Sequence, residues 1–322
     1  MSELRPELLG ALARLHADAR VETLQGDASA RRFHRLYLAE GGTRIVMDYG
    51  APFTGETDDV RLARIFERAD LPVARVLDVL GEAGCLLLED LGDVTLEAAQ
   101  ARDTGDLYDR AVELAAAIAA RGTRSLSASD RAGGPALDAE RLSFEMRFFC
   151  EHFLCGWLKA PPPPETTVAL LEELAIEVAS HPRVMCHRDY HSRNLMVRGD
   201  GSLAMVDIQD ARWGPDTYDV ASLLRDAYVD LDDRWVEELL ARYIEAMPGR
   251  PDAETVHRRF HLAATQRMIK ALGTFGYQIT RLGRTRYSDA IPRTLQRLDR
   301  VLPAQSNTRE IHAALRASGV FA

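Results

Sequence analysis

His187-Arg188-Asp189-Tyr190-His191-Ser192-Arg193-Asn194 sits between two short apolar runs, Val184-Met185-Cys186 and Leu195-Met196-Val197. Short apolar runs bounded by turn residues read as brief buried strands, so the polar octet is a loop held at both ends by buried backbone. Thirteen residues past Asn194 stands Asp207, closing a further apolar run, Leu203-Ala204-Met205-Val206. The turn signal Gly199-Asp200-Gly201 between them predicts a hairpin that folds Asp207 back beside the loop.

Outward from this segment the chain changes character twice. Leu4 to Ala17 has helical spacing. Val21 to Leu24, Arg31 to Leu38 and Arg44 to Met47 are strand-like runs punctuated by Gly26-Asp27-Ala28-Ser29 and Gly41-Gly42, which predicts three antiparallel strands. Asp58 to Ala69 places Val60, Ala63, Phe66 and Ala69 on one helical face before Pro72, and Val73 to Leu80 with Cys85 to Glu89 reads as another hairpin. After Glu89 the periodicity is helical over Leu107 to Ala120, Leu142 to Leu158, Glu165 to Ala179 and most of the chain beyond Val220. Gly133-Gly134-Pro135 and Pro161 to Pro164 mark connectors. The expected fold is α+β and bilobal: residues 1–89 as a small antiparallel sheet with one helix, residues 90–322 as a larger, mainly helical part carrying the polar loop.

Composition narrows the partners. The 322 residues are 46% hydrophobic and 28% charged, the balance of an ordinary globular chain. A net charge of -9 sets the surface against phosphate backbones and anionic headgroups, so neither nucleic acid nor a membrane is an expected partner. An anionic ligand must then be held by local cations or a metal ion. Lysine occurs twice, at Lys159 and Lys270, and arginine supplies the other basic residues. Cys85, Cys150, Cys155 and Cys186 lack paired C-x-x-C spacing and read as buried thiols. With no leader-like start and no long apolar run, the expected location is cytoplasmic.

The loop carries the chemistry. Phosphoryl transfer needs a carboxylate near the attacking hydroxyl and hard oxygen ligands for Mg²⁺ on the phosphates. The order H-R-D-x-x-x-x-N, followed by an acid at the end of an apolar strand, has the spacing of a kinase catalytic loop and metal segment. Asp189 is then the catalytic carboxylate, and Asn194 and Asp207 hold the metal. Reading His187 and His191 as zinc ligands requires a helix and an adjacent glutamate, where this segment has Arg188 and flanking strands. His187 is expected to brace the loop. Asp219 is either an N-cap for the helix after it or an anchor for the loop, and Asp210 faces either a second cation or the acceptor. Leu86-Leu87-Leu88-Glu89-Asp90-Leu91 falls where the two parts join, with adenine expected against main-chain groups about Glu89 and Leu91.

In HRDYHSRN, VDIQD and LLLEDLGD the chain resembles the aminoglycoside phosphotransferase and choline kinase family, a small-molecule branch of the protein-kinase fold. Gly26 to Phe33, Ile45 to Asp48, Tyr218 to Asp226 and Ile269 to Gly273 make it most similar to that family's bacterial sugar kinases. Those enzymes phosphorylate the anomeric hydroxyl of N-acetylmuramate and N-acetylglucosamine in cell-wall recycling. The resemblance implies ATP as co-substrate, Mg²⁺, and a small amino sugar as acceptor. It implies nucleotide contacts at Ser29, Arg31, Arg32, Met47, Glu89 and Leu91, and acceptor contacts at Glu145, Asp210, Arg225 and Lys270. The family's phosphate-gripping lysine on the third strand is missing, since Met47 or a neighbour stands there and no lysine precedes Lys159. Arg31, Arg32 or Arg35 is expected to replace it, guanidinium being permanently charged and able to fork onto phosphate oxygens. An aminoglycoside kinase and a non-catalytic binding module are the alternatives. A carboxylate-bearing acceptor favours Arg147, Arg225 or Lys270 nearby, and Glu145 on its helix reads as exposed unless it bonds sugar hydroxyls.

Overall fold

The computed structural model describes residues 4–16, 18–24, 31–100, 106–128, 130 and 135–321. The expected turn at Gly26 to Ser29 and the Gly133-Gly134 connector lie outside them. The chain forms two compact units: Met1–Val94 with Met196–Gln209, and Thr95–Leu195 with Asp210–Ala322. The break expected after Glu89 thus falls five residues later, and the hairpin bearing Asp207 belongs to the first unit.

In the first unit β1 (Arg20–Thr23), β2 (Arg32–Tyr37), β3 (Thr43–Asp48), β4 (Val76–Leu80) and β5 (Cys85–Glu89) make an antiparallel sheet in the order β1-β2-β3-β5-β4. Register follows the apolar pattern: Met47 lies opposite Phe33 on one side and Leu86 on the other. Helix α1 (Pro6–Leu15) packs Leu8, Ala11 and Leu12 on Leu36, Val46, Cys85 and Leu87, while Val60 of α2 (Asp58–Arg68) joins Met47, Leu86 and Leu88 in a separate cluster. Buried through Cys85 to Leu88, β5 is continuously apolar instead of alternating. Thr57 caps α2 by accepting from the Val60 N–H at 3.4 Å. The chain returns to this unit through β7 (Leu195–Val197) and β8 (Leu203–Met205), where Met205 N–H donates to Pro72 O at 2.9 Å and Val197 N–H to Val94 O at 2.7 Å.

The second unit is helical apart from β6 (Arg183–Cys186), which pairs antiparallel with β9 (Arg212–Pro215). Its helices include α3 (Leu96–Gln100), α4 (Leu107–Ala117), α5 (Ala139–Phe149, continued by a π-helical stretch to Trp157), α6 (Glu165–Ala179), α7 (Tyr218–Leu224), α8 (Asp233–Ala246) and the 28-residue α9 (Ala253–Thr280). Side-chain caps start several of them, as where Asp138, Asp232 and Asp252 accept from the N–H three residues on. Among the described residues no helix is long and apolar enough to cross a membrane. Cys85, Cys150 and Cys186 are buried, whereas Cys155 is half-buried.

Helix α9 lies against the Ala139–Trp157 helix at backbone distance. A Cβ on Gly273 would meet Phe149 Cα at 2.8 Å, and one on Gly276 would meet His152 O at 2.4 Å. Helix propensity favours alanine over glycine by about 1 kcal/mol, but overpacking costs about 1–3 kcal/mol and the opposing atoms are backbone that cannot rotate away. Gly276→Ala is therefore expected to lower the melting temperature by several degrees. Gly10→Ala on α1, whose new Cβ would meet only the Arg14 side chain at 3.7 Å, should raise it slightly. Thermal unfolding followed by circular dichroism checks both signs.

Candidate active site

The polar loop leaves β6 after Cys186 and is pinned by two carboxylates. Asp219 accepts from the His187 N–H at 2.7 Å and the Arg188 N–H at 2.9 Å. Asp226 accepts from both the N–H (2.9 Å) and the Oγ (2.5 Å) of Ser192. Asp219 is buried inside the first turn of α7, with Thr217 at the N-cap, so it anchors the loop and is not a cap. Burial pushes its carboxyl above the ordinary range, against the pull of its neighbour His187 and the two backbone donors. Fully buried His187 sets its ring edge-on to Tyr190, with centroids 5.8 Å apart. Arg193 forks onto Glu97 at 2.7 and 3.0 Å.

These anchors hold Arg188 at φ +79°, a left-handed backbone that is costly for a side chain of this size. Its guanidinium, 9% exposed, reaches Asp210 at 3.0 Å and Glu145 at 3.5 Å. Glu145 is buried, contrary to the exposed position its helix suggested, and also accepts from Gln266 Nε2 at 2.9 Å. Asp210 is shared with Arg212 Nη2 at 2.6 Å.

Asp189 is the centre of this network. Lys270 Nζ lies 2.9 Å and Arg267 Nη1 3.3 Å from its Oδ1. Arg188 Nη1 lies 3.9 Å from Oδ2, beyond hydrogen-bond reach. Arg267 is itself fixed by Ser222 Oγ at 2.5 Å and Tyr218 OH at 3.3 Å. The Asp189 side chain is 23% exposed, and both of its hydrogen-bonded cations sit on Oδ1, so Oδ2 keeps room to accept from a further donor. Burial works to protonate Asp189, but Lys270, Arg267 and Arg188 outweigh it and hold the carboxyl well below the usual carboxylate range. Burial pushes the Lys270 ammonium below its ordinary value, and Asp189 pulls it back. Asn194 Nδ2 donates to the Asp189 carbonyl at 2.9 Å, leaving the amide oxygen to accept or to ligate.

Arg225 stands apart from this network, paired with Asp233 Oδ1 at 2.7 Å, and Arg147 pairs with Glu172. Arg267, Gln266 and Asp226 complete the site without having been singled out in the sequence. Spacing offered one signal, because Arg267 lies three residues before Lys270 and shares its helix face.

In the sheet unit Arg31 Nη1 pairs with Asp59 Oδ1 of α2 at 2.8 Å, and Tyr49 OH donates to the same carboxylate at 2.6 Å. Arg35 grips Asp90 at 2.7 Å and Asp93 at 2.7 Å, while Arg32 is exposed. Met47 is buried. Glu89, Leu91, Arg35, Thr43, Asp93 and Arg198 line a cavity of about 550 Å³. Asp207 adopts φ +62° and accepts from Gln209 Nε2 at 2.6 Å. Ser29 lies outside the described residues.

An antiparallel sheet unit whose returning hairpin ends in an acid, and a helical unit whose buried-strand loop bears an ionised carboxylate, define a kinase-like small-molecule phosphotransferase. The chain belongs to the phosphotransferase enzyme family, whose profile matches residues 20–255. It is 31% identical to an N-acetylmuramate/N-acetylglucosamine kinase of Pseudomonas aeruginosa over 88% of this chain and 84% of that one. A Neisseria meningitidis relative of the same name is 28% identical over 90% and 87%. Among solved structures, choline kinase from Streptococcus pneumoniae superposes with a TM-score of 0.60 at 14% identity, over 90% of this chain and 96% of that one.

A carboxylate held below its unfolded-state value, about 3.9, contributes stability above that pH and loses it as pH falls through the folded value. Asp189→Asn leaves Lys270, Arg267 and Arg188 facing one another. The variant's urea midpoint is expected to lie below wild type by a constant gap between pH 8 and 5, and the gap to shrink below about pH 4. Urea melts across that range test the sign.

Proposed function

We propose that the chain is an ATP- and Mg²⁺-dependent kinase that phosphorylates the anomeric hydroxyl of an N-acetylated amino sugar, N-acetylmuramate or N-acetylglucosamine. The observation that carries the acceptor assignment is the shared name of curated relatives aligned over about 90% of the chain. The site supports it chemically. Oδ2 of Asp189 accepts the hydrogen bond of the acceptor hydroxyl and orients its oxygen for attack. A carboxylate this strongly paired with cations is a weak base, suited to a hemiacetal hydroxyl, which is more acidic than an ordinary alcohol. A polycationic aminoglycoside would instead meet Arg188, Arg267 and Lys270 around that carboxylate.

Among the described residues no cluster of three or more His, Cys, Asp and Glu side chains is set to hold a metal ion alone. Magnesium favours few protein oxygens, with phosphates and waters completing its shell. Asn194, through Oδ1, and Asp207 are the residues that would hold the ion, which would neutralise charge on the phosphates being transferred. Adenine lies along the main chain about Glu89 and Leu91, and Arg31 grips phosphate. Asp59 and Tyr49 hold Arg31, much as an acid on a helix holds the kinase lysine. Arg35 is committed to Asp90 and Asp93.

Incubation of the protein with ATP and a panel of acceptors should release ADP with N-acetylmuramate or N-acetylglucosamine and not with kanamycin; the reverse pattern overturns the acceptor. Asp189→Asn is expected to lower kcat by about 10²–10⁴-fold, the usual worth of a positioned proton acceptor. For the nucleotide, Arg31→Ala should raise KM for ATP by about tenfold or more, as loss of a charge-assisted bond predicts, with Arg32→Ala near wild type. Initial rates against ATP concentration separate the two arginines.

A further inference from the structure

Asp189 sits among many charges, with buried Asp219 also in the field of Arg267. Arg188, Arg212, Arg267 and Lys270 pair here with Asp189, Glu145 and Asp210, and Arg141 adds a partly exposed guanidinium 3.8 Å from Glu145. A chain of net charge -9 has therefore gathered several cations at one half-buried place. Buried cations are costly unless each is partnered, so what each still offers decides what it can bind.

The cations differ in what they still offer. Arg267 turns its terminal nitrogens to Asp189, Tyr218 and Ser222, and Arg188 turns its own to Glu145 and Asp210, each leaving over a buried Nε–H. Arg212 donates to the carbonyl and carboxylate of Asp210. Lys270 has three N–H donors, holds Asp189 Oδ1 with one, and is 17% exposed at the side chain. Its ammonium adjoins the carboxylate that receives the reacting hydroxyl, so substituents on the same sugar ring come within its reach.

We propose that Lys270 is the specificity-determining residue for the acceptor: its ammonium takes the carboxylate of an acidic amino sugar while still holding Asp189. This rests on the amino-sugar reading above and deepens it, because N-acetylmuramate carries a lactyl carboxylate and N-acetylglucosamine does not. Recognition of the acid then resides in one charge on α9.

The test compares kcat/KM for the two sugars in wild type, Lys270→Met and Lys270→Arg, at saturating ATP and with thermal melts to confirm folding. Loss of a charge-assisted hydrogen bond predicts that Lys270→Met lowers kcat/KM for N-acetylmuramate roughly 10- to 100-fold more than for N-acetylglucosamine, mainly through KM. Lys270→Arg, which keeps the charge, should restore part of the difference. The methyl ester of N-acetylmuramate removes the same charge from the ligand side, needs no variant, and should lose the wild-type advantage of the free acid. An equal fall for both sugars, with acid and ester used alike, overturns the proposal and leaves Lys270 as a positioning residue for Asp189. Wild-type protein that phosphorylates neither sugar overturns the amino-sugar reading itself, and this inference with it.

Discussion

The backbone contact between α9 and the Ala139–Trp157 helix governs what the site can contain. With Gly273 and Gly276 against Phe149 and His152, the two helices approach more closely than side chains would allow. A helix brought that near delivers its polar residues into the loop region. Gln266 reaches Glu145 across the interface, and Arg267 and Lys270 reach Asp189. A bulkier pair at those two positions would push α9 outward. The carboxylate would then lose its cations before any residue of the loop itself changed.

Buried charge is tolerated here because each group has a partner and each partner is held. An ionised carboxylate without compensation would take up a proton on burial. Asp189 avoids this through Lys270, Arg267 and Arg188, and Arg267 is in turn fixed by Tyr218 and Ser222 of α7. The segment that supplies those two side chains also supplies Asp219 and ends at Asp226, which anchor the start and the later part of the loop. The segment from Tyr218 to Asp226 thus sets both the backbone of the loop and the orientation of Arg267. The left-handed backbone at Arg188, worth about 1–3 kcal/mol of strain, persists because Asp219 grips the adjoining N–H groups while Glu145 and Asp210 hold the side chain.

Much of this was legible in the chain wherever the signal was local. Alternation over Arg32 to Tyr37, the turn at Gly41-Gly42 and the apolar run of β5 announce the sheet, and the octet from His187 to Asn194 announces the loop. Strand β9 was not visible, since Arg212-Trp213-Gly214-Pro215 contains two residues that ordinarily break strands, and its pairing with β6 is fixed by tertiary context. The burial of Glu145 was equally hidden. An acid on an amphipathic helix reads as solvent-facing until its partners Arg188 and Gln266, 43 and 121 residues away, are placed. Arg267 was lost among many arginines, where frequency masks any single one.

That abundance of arginine gives the placement of lysine its meaning. The fork of a guanidinium binds planar anions well, and the chain uses it for fixed pairs such as Arg193 with Glu97 and Arg35 with Asp90. Arginine at position 270 would bring a second fork beside Arg267 against one carboxylate oxygen, with both planes competing for Oδ1. An ammonium is compact, and its three donors point in different directions. Lys270 can therefore hold Asp189 with one donor and keep others for whatever arrives beside the reacting hydroxyl. Where arginine answers most acids among the described residues, lysine at 270 is the choice that lets one cation serve two anions, as the acceptor proposal requires.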